Sequence, residues 1–166
     1  RDLSVVTPAR SFCPGCEQTI AWFDNIPLLS FLFLRGRCNY CAKPISIQYP
    51  LIELTAGLIA AFFVYQHGLS EVTFYSLVLS YSLLVLTGID FHEQLLPDQI
   101  TLPLLWVGLL ANLNASFVPL REAVLGAIAG YLSLWIVFWA FKMITGKEGM
   151  GYGDFKLLGA LGAWLG

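Results

Sequence analysis

Ala123–Phe141 reads AVLGAIAGYLSLWIVFWAF, a stretch with no Lys, Arg, Asp or Glu. A helix of that length rises about 28 Å, enough to cross the hydrocarbon core of a bilayer with little tilt. A surface helix of a soluble protein would carry a charged stripe at helical spacing, and this one carries none. Leu54–Ser70, Val72–Ile89 and Gln99–Leu120 are equally bare, and a fifth apolar run begins after Lys156. The pattern predicts an all-α polytopic membrane protein: a helical bundle of four spans and the beginning of a fifth.

Composition points the same way. Of 166 residues, 57% are hydrophobic and 12% are charged, against about 45–50% and about 25% in soluble domains. That leaves too little polar surface to coat a soluble globule, and far too much apolar content for disorder. The net charge of -2 argues against a nucleic-acid partner, which needs a basic face. Gly126 and Gly130 lie four residues apart, as do Gly162 and Gly166. That spacing lets helix backbones approach closely in lipid.

Residues 1–50 differ in character from residues 51–166. They hold all four cysteines, five of the nine Lys/Arg and no spanning run. The apolar stretch from Ile26 to Leu34 is too short to cross, and fits an interface or a place under the cysteines. With residues 1–50 in the cytoplasm, the four spans leave Arg1, Arg10, Arg35, Arg37, Lys43, Lys142, Lys147 and Lys156 on the inner side, with only Arg121 outside. Basic residues favour the cytoplasmic side, so this orientation is expected over its inverse.

Cys13-Pro14-Gly15-Cys16 and Cys38-Asn39-Tyr40-Cys41 are two C-x-x-C pairs, each followed four residues later by an isoleucine, Ile20 and Ile45. The arrangement reads as a duplicated metal knuckle. One thiolate pair grips one face of a tetrahedral ion and the second pair closes the other. Disulfides are rare in the cytoplasm, so a closed, structural zinc site on Cys13, Cys16, Cys38 and Cys41 is expected. Iron in the same all-sulfur geometry, free thiols and a redox pair are the alternatives.

Acids at membrane depth are costly and mark function. Asp90 ends the second span after Gly88-Ile89, and Asp154 opens the fifth within Gly151-Tyr152-Gly153-Asp154. Two intervening spans form an out-and-back hairpin, which returns the chain to the same inner boundary. Two carboxylates meeting there would share a proton. The ionised one can take a proton from water while the protonated one donates to a carbonyl oxygen. Glycines before Asp154 would allow close backbone approach to a substrate or unusual dihedrals. The bland readings are helix caps at Asp154 and Asp98 and a solvated boundary at Asp90. Glu93, Glu148 and His92 read as solvated loop residues. Glu53, early in the first span, suits the helix dipole or the bundle interior.

With these residues in place, the sequence resembles the bacterial type IV prepilin peptidases, which are bifunctional leader peptidases and N-methyltransferases. The resemblance runs over essentially the whole chain. It rests on the paired cysteines, Tyr49-Pro50-Leu51-Ile52-Glu53-Leu54, Asp90, Leu95-Leu96-Pro97-Asp98, and Lys147-Glu148-Gly149-Met150 leading into Gly151-Tyr152-Gly153-Asp154-Phe155-Lys156. The last of these contains the G-x-G-D motif of aspartic intramembrane proteases. The resemblance implies that Asp90 and Asp154 are the catalytic pair and that the four cysteines form a zinc ribbon. It implies cleavage of type IV prepilins and pseudopilins after a glycine, at the cytoplasmic face of the bacterial inner membrane. N-methylation of the new terminus with S-adenosylmethionine would follow. That methyl donor comes from the resemblance alone, since no glycine-rich nucleotide fingerprint follows a strand. The family also has a span before the cysteines and further spans after G-x-G-D, so both ends are expected to continue in a longer protein. A non-enzymatic zinc-ribbon scaffold, or a proton or cation carrier using Asp90 and Asp154, is the competing reading.

Overall fold

A computed structural model of the chain describes residues 11–147 and 149–166. Arg1, Arg10 and Glu148, which entered the expectations above, lie outside the described residues. The helices are α1 (Leu29–Phe33), α2 (Gln48–His67), α3 (Glu71–Glu93), α4 (Asp98–Ala111), α5 (Leu120–Thr145) and α6 (Tyr152–Leu165). Short 3-10 turns occupy Trp22–Asn25 and Asn112–Asn114. Among the described residues there are two isolated β-bridges and no longer strand. The chain divides into two compact units, one through Leu58 and one from Ile59 to Gly166.

In the first unit the duplication seen in the sequence is a duplication of backbone geometry. Cys13 N–H donates to Gln18 O at 3.0 Å, Glu17 N–H to Cys13 O at 2.8 Å, and Ile20 N–H to Ser11 O at 2.8 Å. The second knuckle repeats all three bonds: Cys38 to Lys43 at 2.9 Å, Ala42 to Cys38 at 3.0 Å, and Ile45 to Gly36 at 2.8 Å. Each knuckle is closed by one bridge, Phe12 with Thr19 and Arg37 with Pro44. Glu17 and Ala42 turn the chain back with φ near +57° and +55°. The Ile26–Leu34 stretch folds into α1, which buries none of its side chains fully. Leu29, Leu32 and Phe33 are exposed, while Phe31 lies against Gly36.

Helices α2, α3 and α5, of 20, 23 and 26 residues, are long and apolar enough to cross a membrane. The run Gln99–Leu120 was expected to make one span, and it does not form one helix. It breaks after Ala111 into the Asn112–Asn114 turn, with Ala115 left-handed at φ 55°. Asn side chains compete for the helix backbone, and Pro119 cannot extend a helix backwards through its missing N–H. The remaining α4 has 14 residues and is about 21 Å long, short of the roughly 30 Å hydrocarbon core. Helix α6 has the same length.

The second unit is built on α6. Its Gly162 meets the Gly126 backbone of α5, and Gly130 meets the Leu158 carbonyl at a distance that leaves no space for a Cβ. The two small-residue pairs read from the sequence therefore face each other across one crossing. On the other side, Trp164 lies against Gly108 of α4 and donates from Nε1 to Leu104 O at 2.9 Å. Leu86 of α3 joins Leu104, Ala111, Ala160 and Trp164 in one buried cluster. Ser70 caps α3 by accepting from Thr73 N–H at 3.2 Å.

Candidate active site and metal centre

The knuckles bring together the four residues expected to bind metal. The sulfurs of Cys13, Cys16, Cys38 and Cys41 all lie within 4.8 Å of one another. All four are free thiols, and Cys13 Sγ is 3.8 Å from Cys41 Sγ. A zinc ion at about 2.3 Å from each of four sulfurs sets S···S edges of about 3.8 Å, so the cluster has the dimensions of a closed tetrahedral site. The Gly15 N–H, 3.4 Å from Cys13 Sγ, and then the Cys38 thiol hold Cys13 down to about 7. Cys16 behaves oppositely. The Gln18 N–H lowers it, but burial and the crowding of Cys41, Cys13 and Cys38 push it up to about 11. Four sulfurs this close cannot all ionise without a cation between them, and a divalent ion resolves that conflict.

Both acids singled out in the sequence lie in the second unit, on helix ends. Asp90 is exposed in the last turn of α3, whose carbonyl end is closed by Gln94 N–H bonding to Asp90 O at 2.9 Å. Asp154 is half-buried in the first turn of α6. That helix is capped by Gly151 with no side-chain bond, so Asp154 is not the cap that the bland reading allowed. Among the described residues no hydrogen bond joins the two carboxylates. What the fold does bring together is their segments. A Cβ on Gly153 would stand 2.6 Å from Leu96 Cβ and 3.0 Å from Leu96 O. The link that follows Asp90 therefore rests directly on the glycine that precedes Asp154. Gly151 has ordinary extended dihedrals. The glycine requirement in this turn is thus close packing at Gly153, not an unusual conformation.

Asp98 also differs from its expected role as a cap. It makes no capping bond in α4. Both its oxygens accept from Lys156 Nζ at 2.6 Å. This ion pair ties the first turn of α4 to the first turn of α6, beside the Leu96–Gly153 contact. Glu53 accepts the Leu28 N–H at 2.7 Å through Oε2, so it anchors the Ile26–Leu34 stretch to the start of α2. His92 and Glu93 are solvent-exposed as expected, but they belong to the last turn of α3 and not to a loop; His92 bonds back to Gly88 O through Nδ1 at 2.9 Å.

Two structural residues escaped the sequence reading. Asn112 is fully buried and makes four hydrogen bonds. Its amide donates to Ala163 O at 3.0 Å and Trp164 O at 3.2 Å, and its oxygen accepts from Phe117 and Val118 N–H at 3.1 Å each. It locks the far ends of α4 and α6, as Asp98–Lys156 locks their near ends. An asparagine inside an uncharged run was the available signal. Lys156 offered none beyond its place two residues after Asp154.

Residues 77–166 match the type IV leader peptidase family, and residues 1–67 match the bacterial N-terminal domain of the A24 peptidases. A prepilin leader peptidase/N-methyltransferase of Klebsiella pneumoniae is 58% identical over 156 residues, covering 94% of this chain and 68% of that protein. A protein of the same name from Aeromonas hydrophila is 57% identical over 157 residues, covering 95% of this chain and 54% of its own length. One from Neisseria gonorrhoeae is 53% identical over 156 residues, covering 94% and 54%. The chain thus spans between about half and two thirds of the length of these relatives. No solved structure matches it. With a helical architecture, a four-cysteine cluster and an Asp154 turn seated on the Asp90 link, the chain belongs to the type IV leader peptidase family.

Proposed function

We propose that the chain carries out two steps on type IV prepilins and pseudopilins: cleavage of the leader after a glycine, then N-methylation of the new terminal residue. In this reading residues 1–50 are a zinc ribbon and residues 51–166 are the peptidase bundle. Both sites face the cytoplasm of a bacterial inner membrane, with the orientation set by the basic residues counted above. The bundle has four spans and the start of a fifth, with the shorter α4 and α6 reaching the inner boundary beside longer neighbours.

Asp90 and Asp154 are the catalytic acids. One, ionised, takes a proton from water as the water attacks the scissile carbonyl; the other donates to the carbonyl oxygen. An acid in the last turn of α3 sits at the negative end of the helix dipole, which opposes it by about 0.3–1 kcal/mol. Asp154 sits at the favourable end of α6. In apo enzymes catalytic contacts are often long and tighten with substrate, so the open pair is compatible with this chemistry. Zinc held by Cys13, Cys16, Cys38 and Cys41 would be structural, because four thiolates leave no open position.

The observation that carries the reading is the seating of Gly153 on Leu96, which brings the Asp154 turn against the chain that follows Asp90. A prepilin processing assay on membranes or detergent extracts tests it, with Asp90→Ala and Asp154→Ala measured separately. Each should abolish cleavage while the protein still inserts, and Asp98→Ala should keep part of the activity. Full processing by either of the first two variants would defeat the assignment. A carrier would instead respond to membrane potential and leave prepilins intact.

A further inference from the structure

The first unit carries an apolar face that its own fold leaves open. Trp22 and Phe23 of the 3-10 turn are 80% and 52% exposed, and Leu29, Leu32 and Phe33 of α1 are 52%, 73% and 81% exposed. The last three stand at i, i+3 and i+4, on one side of the helix. At about 100° per residue, Phe31 falls on the opposite side, where its ring lies against Gly36. Helix α1 is thus seated by one face and presents three large side chains on the other, a patch that marks an interaction site. Two observations say what covers it. The first is depth. Leu28 N–H donates to Glu53 Oε2 at 2.7 Å, and Glu53 lies in the second turn of α2. With 20 residues, α2 is long enough to cross a membrane, and its length of about 30 Å matches the hydrocarbon core. The bond therefore holds the residue before α1 more than a turn inside the end of a span. Leu28 is also left-handed, at φ 61°, a conformation costly for leucine that persists where the surroundings fix it. The second observation is charge. Residues 22–43 carry Arg35, Arg37 and Lys43 against Asp24 alone. Asp24 accepts from the Asn39 amide and Lys43 donates to Gly15 O. Arg35 and Arg37 are exposed, with no ion-pair partner among the described residues.

We propose that residues 22–33 insert into the leaflet that α2 enters, with Leu29, Leu32 and Phe33 among the acyl chains and Arg35 and Arg37 on the phosphates of anionic lipid headgroups. The proposal rests on the reading of α2 as a span. A short apolar segment with a basic flank lies in the plane of the interface, held by buried apolar area and by attraction to anionic lipid. An indole such as that of Trp22 settles at headgroup level. Glu53 then meets the interface with one oxygen already bonded to Leu28 N–H, which lowers the cost of an acid at that depth. Phe31 against Gly36 joins the element to the second knuckle, two residues before Cys38, so insertion of α1 keeps the metal centre close to the lipid surface. An apolar segment of a prepilin is the competing occupant. The two unpaired guanidinium groups favour lipid, because they call for anions that headgroups supply and an apolar peptide segment does not.

The test is photolabelling of the zinc-loaded full chain in vesicles of phosphatidylethanolamine and phosphatidylglycerol, with a trace of phosphatidylglycerol carrying a diazirine on one acyl chain. Peptide mapping then gives the label per residue. Residues 22–33 should take at least a third of the label found on residues 54–67 of α2, and less than that would overturn the proposal. Leu32→Glu combined with Phe33→Glu, at positions already exposed in the fold, should cut the label on residues 22–33 at least fivefold while zinc content and the label on α2 stay unchanged. Undiminished label in that variant would overturn the insertion of this face. Arg35→Gln combined with Arg37→Gln should reduce the label at least twofold, and no reduction would overturn the headgroup contact. A second readout needs no altered charge. A benzophenone amino acid in place of Phe33, irradiated with prepilin present, should capture lipid, and capture of prepilin instead would make this face a substrate surface and overturn the proposal. Absence of label from α2 itself would overturn the reading of α2 as a span, a failure distinct from label on α2 without label on residues 22–33.

Discussion

Replacing Lys156 with Met separates two consequences of the Asp98–Lys156 pair that are easily confused. The pair is well formed, with both carboxylate oxygens 2.6 Å from Nζ, yet its side chains are 27% and 53% exposed. Exposed ion pairs contribute about 0–1 kcal/mol to stability, so the variant should unfold within about 1 kcal/mol of the native chain. Its effect on cleavage should be much larger. The pair sets the first turn of α6, and hence Asp154, against the segment that follows Asp90. A displacement of about 1 Å in a catalytic group costs on the order of a hundredfold in rate. We therefore expect single-turnover processing of a prepilin in detergent to fall about ten- to a hundredfold. Lys156→Arg should stay within a few-fold of native, because the charge and reach are kept. The swap of Asp98→Lys with Lys156→Asp should recover part of the loss of either single variant. Native-rate cleavage by Lys156→Met would refute the positioning argument. So would a stability loss of several kcal/mol that accounts for the whole effect.

Other perturbations address the rest of the architecture. Asn112→Ala leaves the part-buried Phe117 and Val118 N–H groups without their partner. At about 1–3 kcal/mol for each orphaned group, reduced by the weaker net bonds measured within membranes, it should cost about 2–4 kcal/mol in a detergent unfolding titration. Gly162→Ala places a methyl group against the Gly126 backbone, which has no rotamer through which to yield. It should cost about 1–3 kcal/mol and slow cleavage by shifting α6, whereas Gly57→Ala, in open space on α2, should do neither. Cys13→Ser and Cys38→Ser should each release the metal, read as loss of zinc from the purified protein. A chelator should release it from the native chain and loosen residues 11–45 to proteolysis. Unchanged zinc content in both variants would remove the metal centre.

The two knuckles were legible because their signal is local. Cysteine spacing and the two trailing isoleucines dictate a turn whose three backbone bonds recur 25 residues later. The α5–α6 crossing was legible for a similar reason, since glycines four apart mark a face whatever the partner. The Gln99–Leu120 run misled because hydropathy counts composition and is blind to where a helix stops. Asn112, Asn114 and Pro119 end α4 early, and the benefit of the break appears only when Asn112 reaches α6. Asp98 looked like a cap because it follows Pro97. Its actual partner is 58 residues away, a pairing that no local rule reaches. That no hydrogen bond joins the two catalytic candidates was likewise beyond sequence, which places each acid near a helix end but does not give the path of its helix.

The ability of the two acids to meet can be tested directly. Asp154 belongs to a helix held at both ends: by Lys156 with Asp98 and by the Ala163 and Trp164 carbonyls with Asn112. Asp90 is held differently. Leu86, one turn earlier in α3, is buried in the shared cluster, but Phe91 beyond it is 79% exposed, and Gln94 then turns left-handed at φ 51°. The freedom to close the pair thus lies with the last turn of α3. On the proposed assignment, a chain with Asp90→Cys and Asp154→Cys should bind prepilin without cleaving it. A disulfide needs Cα atoms within about 7 Å. In zinc-loaded protein, whose four native cysteines are occupied, mild oxidation should link positions 90 and 154 slowly alone and faster with prepilin present. Linkage at neither condition, with both thiols still reactive to maleimide, would mean that the two residues never share a substrate.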